Sequence, residues 1–414
     1  MEKGSKSIHY AWWIMAIGFV LYFFVQAFTN QVPGLFTKPI SAEFNVPRSV
    51  FLLHNVFMNL AGFLAAPLWG RLYKKYNFQR LLAFCIVMTA VGFFFRSIST
   101  NIYMVIASGF FRGVFFIGTT ILPMGLLVAS WFEKKRGFAT SMITVAASLG
   151  GVVFNPLIQT LISSSGWRVA DRLSGILVAA MAPLVLLFVR SDPEKKGLKP
   201  YGYTGAESAA VEVPKTGLTA AEARKTPSLY FLLFASFSST FVAGAMMQLS
   251  PYLTDSGYDP LFAASAISIL GVFSIIGRPL MGMLHDKAKP GTAAAIIFVS
   301  AAAGFLCLNF PLNKFLLGAA IVIWGFNSGI SLIMPPLWTM EVFGAKDYAV
   351  IFSLVVAINR FGSLAGGYLI GLLHDLTGSN NLIWPICSAM MLISLAGMIY
   401  SFRASNKRKA QETV

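Results

Sequence analysis

Three arginines lie deep inside long apolar stretches of this chain: Arg112, Arg278 and Arg360. The acidic residues nearest to such stretches fall at their ends: Asp171, Glu341 and Asp375. A charge in the middle of a bilayer is costly and usually functional. A guanidinium group without an acidic partner can hold a carboxylate through two parallel hydrogen bonds. The three arginines therefore predict a site for a small organic anion inside a membrane.

The composition of the chain supports a membrane location. Of its 414 residues, 56% are hydrophobic and 12% are charged, with a mean hydropathy of +0.70. Soluble domains carry about 25% charged residues, so a soluble enzyme, a nucleic-acid reader and a disordered scaffold are excluded. The net charge of +16 arises from short basic clusters between apolar runs, which is typical of cytoplasmic loops. We expect the lipid bilayer, and no nucleic acid, as a partner.

The apolar runs are long enough to cross a bilayer, which needs about 20 residues of helix. They predict an all-α polytopic membrane protein with twelve transmembrane helices. The predicted spans are 10–36, 50–70, 81–98, 102–131, 138–164, 170–190, 228–253, 258–284, 291–310, 313–340, 348–374 and 381–402.

The distribution of Lys and Arg predicts the orientation. Basic residues concentrate in the segments that lie inside if both termini are cytoplasmic. One long polar segment separates the sixth span from the seventh. It predicts an N-terminal six-helix bundle (1–190), a cytoplasmic linker (191–227) and a C-terminal six-helix bundle (228–414), the plan of two-part transporters. The expected location is a bacterial-type inner or plasma membrane.

Two loops at matching places in the two halves repeat a short pattern. The first reads GRLYKKYNFQR (70–80) and the second GMLHDKAKPG (282–291). Both resemble the loop signature of the major facilitator superfamily, Gly-x-Leu-x-Asp-Arg/Lys-x-Gly. Asp286 and Lys287 match it, which implies a gating or structural role for them. In the first loop Lys74 stands at the Asp position, which departs from the signature.

Further segments resemble the oxalate/formate exchanger and monocarboxylate transporter branch of that superfamily. They are SWFEKKRGFATSM (130–142), GWR (166–168), ARKTPSLYFLLF (223–234), GRPLMGMLHDK (277–287) and the stretch 324–344. The resemblance implies the major facilitator fold and places the substrate-carboxylate arginine on Arg278. It also matches Arg112 to the arginine of the fourth-span motif, which we interpret as structural.

A second anion contact is predicted less sharply. In the oxalate exchanger a lysine of the eleventh span holds the second carboxylate, and by the resemblance that lysine falls on Asn359, with Arg360 next to it. One residue turns a side chain by about 100° around a helix, so either residue could face the cavity. If Arg360 lines it, a dicarboxylate such as oxalate is plausible. If not, a monocarboxylate such as lactate, pyruvate or formate is favoured.

Polar and aromatic residues of other spans are candidates for the rest of the pocket. They are Gln26, Asn30, Asn155, Gln248, Tyr252, Trp324 and Asn327. Each could equally form a hydrogen bond between helices. His54 is the histidine placed clearly inside a span, and it is the candidate for proton coupling because imidazole titrates near neutral pH.

These features predict a secondary transporter of small carboxylates that works by alternating access, as a proton symporter or an anion exchanger. The alternatives are an exporter of drugs or lipophilic compounds, which would favour an acidic cavity, and a non-transporting sensor on the same fold. Motifs for phosphate cradles, zinc hydrolysis and nucleophilic catalysis are absent from the sequence. We therefore expect no enzyme activity, catalytic residue, metal or cofactor, and a monomer.

Overall fold

The computed structural model describes residues 9–203, 217–246, 249–310, 313–377 and 382–412. Long helices dominate it, and we number them by membrane span. The first half consists of α1 (Tyr10–Leu21, continued by the turns Tyr22–Gln31 and Pro33–Phe36 and by Thr37–Glu43), α2 (Arg48–Lys75), α3 (Phe78–Ser97), α4 (Ile102–Phe116 and Ile121–Trp131), α5 (Arg136–Ser165) and α6 (Trp167–Ala179 and Met181–Phe188). The second half consists of α7 (Pro227–Ala245 and Leu249–Asp255), α8 (Pro260–Lys287), α9 (Pro290–Cys307), α10 (Lys314–Asn327 and Ile330–Phe343), α11 (Tyr348–Thr377) and α12 (Ile383–Glu412).

The predicted number of membrane spans is confirmed. Eleven described helices are long and apolar enough to cross a bilayer, and the two segments of α10, bent by 44°, make the twelfth. Helices satisfy every backbone hydrogen bond within one segment, which is why an apolar chain in lipid adopts them. The limits of 190 and 227 for the domains and the linker remain a prediction.

Local sequence sets the helix ends. Asn77, Asn101 and Asn313 each accept hydrogen bonds from amides of the first turn of α3, α4 and α10, the usual work of an N-cap. Proline begins α7 and α9, where its missing N–H costs nothing. These caps keep the turns between spans short.

The first helix of each group of three is interrupted. In α1 the regular helix gives way to a π-helical stretch at Tyr22, and α4 breaks between Phe116 and Ile121. In the second half, the regular helix of α7 ends at Ala245 and α10 breaks at Ser328 and Gly329. Irregular backbone at membrane depth persists where it is enclosed by protein or lines a cavity. Helix α6 is interrupted as well, at Ala180.

The described parts of the linker bind to one end of both halves, which we call the linker side. Tyr201 donates its amide to the carbonyl of Trp131 and accepts from the amides of Glu133 and Lys134, after the end of α4. Leu218 donates to the carbonyl of Phe343 at the end of α10. The linker is therefore attached to equivalent turns in both halves. Within it, Ala220–Arg224 forms a short helix with a capping box.

The first contact between the halves on the linker side joins α8 to α5. The Asp286 carboxylate accepts hydrogen bonds from the amides of Gly137 (2.7 Å) and Phe138 (2.8 Å), in the first turn of α5. A carboxylate is favourable there because a helix N-terminus carries unpaired N–H groups and partial positive charge. Gly282 allows the approach, since a Cβ on it would lie 2.2 Å from the carbonyl oxygen of Gly137.

The second contact on this side joins α2 to α11 in the equivalent place. Lys74 forms an ion pair with Asp347, which precedes α11 and also accepts from the amide of Ala220. The hydrogen bond from Lys74, followed by that from Ala220, lowers the pKa of Asp347. Gly70 matches Gly282, since a Cβ there would lie 2.7 Å from the carbonyl oxygen of Ala349. In this contact Lys74 stands where the loop signature has Asp, and the carboxylate comes instead from Asp347 of the second half.

Replacing Gly282 by Ala should open the linker side. The added methyl group would meet the backbone of Gly137, and overpacking of this kind costs about 1–3 kcal/mol, which shifts the open-to-closed ratio at least about five-fold. Spin labels at Lys75→Cys and Lys287→Cys, both exposed, in a background without the native cysteines would show a longer distance component. Gly291→Ala is the matched control, because nothing lies within 4 Å of its Cβ position. An unchanged distance distribution in folded Gly282→Ala would contradict the role of this contact.

Candidate functional site: arginines between the two halves

Arg278 reaches from α8 of the second half to α5 of the first half. Its Nη1 donates hydrogen bonds to the carbonyl oxygen of Thr144 (3.0 Å) and to the hydroxyl of Ser148 (2.9 Å). The side chain is 8% exposed, and its Nε atom is buried without a hydrogen-bond partner. Across the described ranges, no carboxylate pairs with it. Arg278 is thus a buried cation held only by neutral groups of the opposite half.

Arg360 also points from the second half to the first. Its guanidinium carbon lies 5.3 Å from the centre of the Phe116 ring, at the break in α4. Its Cγ atom lies 3.6 Å from the position that a Cβ on Gly62 of α2 would occupy. Within the part of the chain that the structure describes, no acidic residue pairs with Arg360 either.

Asn359 faces the other way. Its amide nitrogen donates to the carbonyl of Ser331 on α10 (2.8 Å) and contacts the hydroxyl of Ser236 on α7 (3.4 Å). The one-residue offset between the two candidates therefore directs Arg360 to the interface and Asn359 into the packing of the second half.

Tyr22 of α1 borders the same interface, because it lines a small cavity together with Thr144, a partner of Arg278. It is 2% exposed and lies in the π-helical stretch, where the backbone departs from the regular helix. Sequence analysis missed this residue, because a tyrosine in an aromatic-rich apolar run gives no separate signal.

A small cavity lies at the interface of the halves. It has a volume of about 10 Å³ and is bounded by residues of α1, α4, α5 and α10: Tyr22, Ile121, Met124, Gly125, Val128, Thr140, Ile143, Thr144, Leu332 and Pro336. That volume is at the lower limit for one water molecule. This cavity, which borders Thr144, a partner of Arg278, is therefore too small for a carboxylate.

The described helices form two groups of six that meet at Arg278 and Arg360, and the sequence comparison matches this arrangement. The profile of the Major Facilitator Superfamily covers residues 15–367. The chain belongs to this superfamily.

Relatives and solved structures agree with the assignment. The chain is 25% identical over 396 residues to MFS-type transporter 1 of Ophiocordyceps sp. (strain BCC 1869), covering 92% of this chain and 83% of the relative. It is 26% identical over 370 residues to monocarboxylate transporter 13 of Bos taurus, covering 87% and 82%. The E. coli fucose:proton symporter FucP shares the fold with a TM-score of 0.69 at 16% identity, covering 94% of this chain and 98% of that one.

The other predicted pocket residues of this transporter do not gather at the arginines in one group. In the second half, Tyr252 donates to the carbonyl of Leu308, Trp324 packs on Phe305, and Asn327 donates to Ser300 and to the carbonyl of Ile323. These three side chains join helices of one half. Gln248 lies outside the described residues.

In the first half, two predicted residues retain free hydrogen-bonding capacity. The side-chain oxygens of Gln26 on α1 and of Asn155 on α5 are buried without a partner. Asn30 is exposed. An unpaired buried amide oxygen is costly, so Gln26 and Asn155 are better candidates for a polar ligand than the paired residues of the second half.

Arg112 and His54 lie inside the first half. Arg112 is fully buried on α4 against the ring of Phe93, at 4.7 Å. His54 is fully buried on α2, where its Nδ1 lies 2.7 Å from the carbonyl oxygen of Phe51 and therefore donates to it. Arg112 and His54 thus both contact residues of the first half.

One acidic residue that the sequence places at the end of a span forms a buried ion pair. Asp171 of α6 is fully buried and accepts two hydrogen bonds from Arg96 of α3, one of them at 2.6 Å from Nε. Hydropathy places both residues at span ends. It does not show that the ends of α3 and α6 pack together. The opposite signs at facing ends of two spans were the available signal.

Replacing Asp171 by Asn should destabilise the first half. It leaves the Arg96 guanidinium buried without its counter-charge, a change that costs about 3–5 kcal/mol. We expect a lower melting temperature of the purified protein in detergent, measured by intrinsic fluorescence. The double variant Arg96→Met/Asp171→Leu should recover most of the loss, because a buried ion pair can be replaced by apolar side chains of similar volume. A double variant as unstable as the single one would refute this account.

Proposed function

We propose that this protein is a secondary transporter of small organic anions, with carboxylates as substrates. The carrying observation is Arg278, a buried guanidinium at the interface of the halves whose partners there are a carbonyl and a hydroxyl group. A carboxylate would replace these neutral acceptors by a charged one that can accept two parallel hydrogen bonds from the guanidinium group. The relatives named monocarboxylate transporters support this substrate class.

Arg360 is the second anion contact in this proposal. It reaches the same interface from α11, and Tyr22 of α1 borders this interface too. Two arginines and a tyrosine at one interface could bind a dicarboxylate, with one carboxylate on each arginine. They could also bind a monocarboxylate whose second oxygen-bearing group forms a hydrogen bond with Tyr22. We propose that Arg278 binds the first carboxylate and that Arg360 determines which second group is accepted.

Movement of the halves follows from the same contacts. In the closed arrangement Arg278 holds α5 through Thr144 and Ser148, while Asp286 and Lys74 hold the linker side. A bound anion would neutralise the arginines and would lower the cost of enclosing them. We propose alternating access by rocking of the two halves about this point. By the excess of basic residues on it, the linker side would be cytoplasmic.

Anion exchange fits the geometry better than proton symport. An empty site would enclose two unneutralised guanidinium groups, which is expensive in a low dielectric. His54 lies within the first half beside α4, away from the contacts of Arg278. A substrate-loaded site would therefore reorient more readily than an empty one.

Substitution of Arg278 should abolish carboxylate binding. Removing one partner of a buried charge pair costs 2–5 kcal/mol, so Arg278→Ala should raise the Kd of the preferred acid by at least about 30-fold. Thermal stabilisation by C1 to C4 carboxylates would identify that acid in the wild type. Arg71→Ala, at an exposed position of α2, is the control and should bind normally. Wild-type stabilisation that survives in Arg278→Ala would move the site elsewhere.

Exchange can be tested separately in proteoliposomes. Uptake of labelled lactate or oxalate should require an internal carboxylate, because the return of the empty site is slow. Rapid uptake into vesicles without internal anion, stimulated by an inward proton gradient, would establish symport instead. Concentrative export of lipophilic cations without any carboxylate effect would replace the whole proposal by a drug exporter.

A further inference from the structure

The first half contains a second set of unpaired cationic groups, apart from the substrate arginines. Arg112 is fully buried, and its Nε, Nη1 and Nη2 atoms all lack a hydrogen-bond partner. The Nη1 atom of Arg96, fully buried as well, is also unpartnered. Four donor atoms on two cations are thus enclosed without an acceptor. Such groups are expensive to bury unless something is bound to them.

Both arginines pack against the same aromatic ring. The guanidinium carbons of Arg112 and Arg96 lie 4.7 Å and 5.9 Å from the centre of the same ring, that of Phe93. Side chains on a helix tilt toward its N-terminus, which directs Arg112 of α4 toward the end of α3 that carries Arg96. We call Arg96, Arg112, Asp171 and His54 the Arg112 cluster.

His54 completes the cluster from α2. Its backbone packs against Gly109, one turn before Arg112 on α4, because a Cβ on that glycine would lie 2.5 Å from the carbonyl oxygen of His54. Its Nδ1 donates to Phe51, so the buried and unpartnered Nε2 is an acceptor in the neutral ring. It can accept one hydrogen from Arg112 at most, which leaves the other donors unsatisfied.

The charge balance distinguishes the possible occupants. Asp171 neutralises Arg96, and the described structure shows no ion pair with Arg112, so the cluster has a net charge of +1 when His54 is neutral. A water molecule would satisfy hydrogen bonds but would leave this charge. A monovalent anion does both. We propose that the Arg112 cluster binds one small inorganic anion, a halide, in the interior of the first half.

Two observations make this anion a permanent part of the first half and distinguish it from the transported one. The ring faces and the carboxylate around the cluster come from Phe36, Phe93 and Asp171, all in the first half. Packing is tight, since a Cβ on Gly92 would lie 2.2 Å from Cγ of Arg112. An anion held there would contact residues of the first half and would move with that half as one body when the halves rock.

Thermal unfolding of the full-length protein tests the proposal without any transport assay. Replacing gluconate by chloride or bromide at constant ionic strength should raise the melting temperature saturably, by about 2 °C or more. Arg112→Gln should lose this halide dependence. Arg278→Met should keep it, because its arginine belongs to the other site. A halide effect that is lost in Arg278→Met and kept in Arg112→Gln would overturn the proposal by assigning the anion to the substrate site.

Bromide in crystals of the wild type decides the matter even if Arg112→Gln fails to fold. The expected result is an anomalous peak within hydrogen-bond distance of Arg112 and of Nη1 of Arg96. A water molecule at that position, with a melting temperature indifferent to halide, would overturn the proposal. If the wild type shows the bromide peak but transports no carboxylate, the result would count against the proposed function and leave this inference standing.

Discussion

Uncompensated positive charge in a low-dielectric interior is the constraint on which this structure depends. Arg278 and Arg360 project from the second half onto the first, and Arg278 meets only a carbonyl and a hydroxyl there. Weak neutral partners hold such a group in place, yet leave it able to bind a stronger, charged one. In the proposed transport cycle the same property would couple binding to movement, because the groups that hold Arg278 here belong to the opposite half.

The rest of the fold brings the two halves together at that interface. The linker side closes through two related contacts. In both contacts a glycine, Gly282 or Gly70, permits backbone approach, and a polar group four residues later makes the bond. Small residues at such crossings are what membrane helices use in place of a hydrophobic driving force.

Much of this could be predicted from the sequence, and the exceptions share a cause. The twelve spans follow from the lengths of the apolar runs, because a helix crosses the bilayer core once it has about 20 apolar residues. The pairing of Arg96 with Asp171 joins residues 75 positions apart and was missed, because hydropathy places both at span ends without showing which ends touch. Tyr22 was missed too, since its position at the interface of the halves depends on a helix break that the apolar run conceals.

The sequence by itself determined that the chain crosses a membrane repeatedly and that it buries arginines without placing an acid deep inside a span, because these are matters of residue type and run length. Tertiary structure decided where each arginine lies and what it contacts. Helix rotation turned Arg360 to the interface and Asn359 away from it, and packing within the first half enclosed Arg112 beside Arg96. Rotation and packing set which partners a side chain meets, and neither can be read from one span alone.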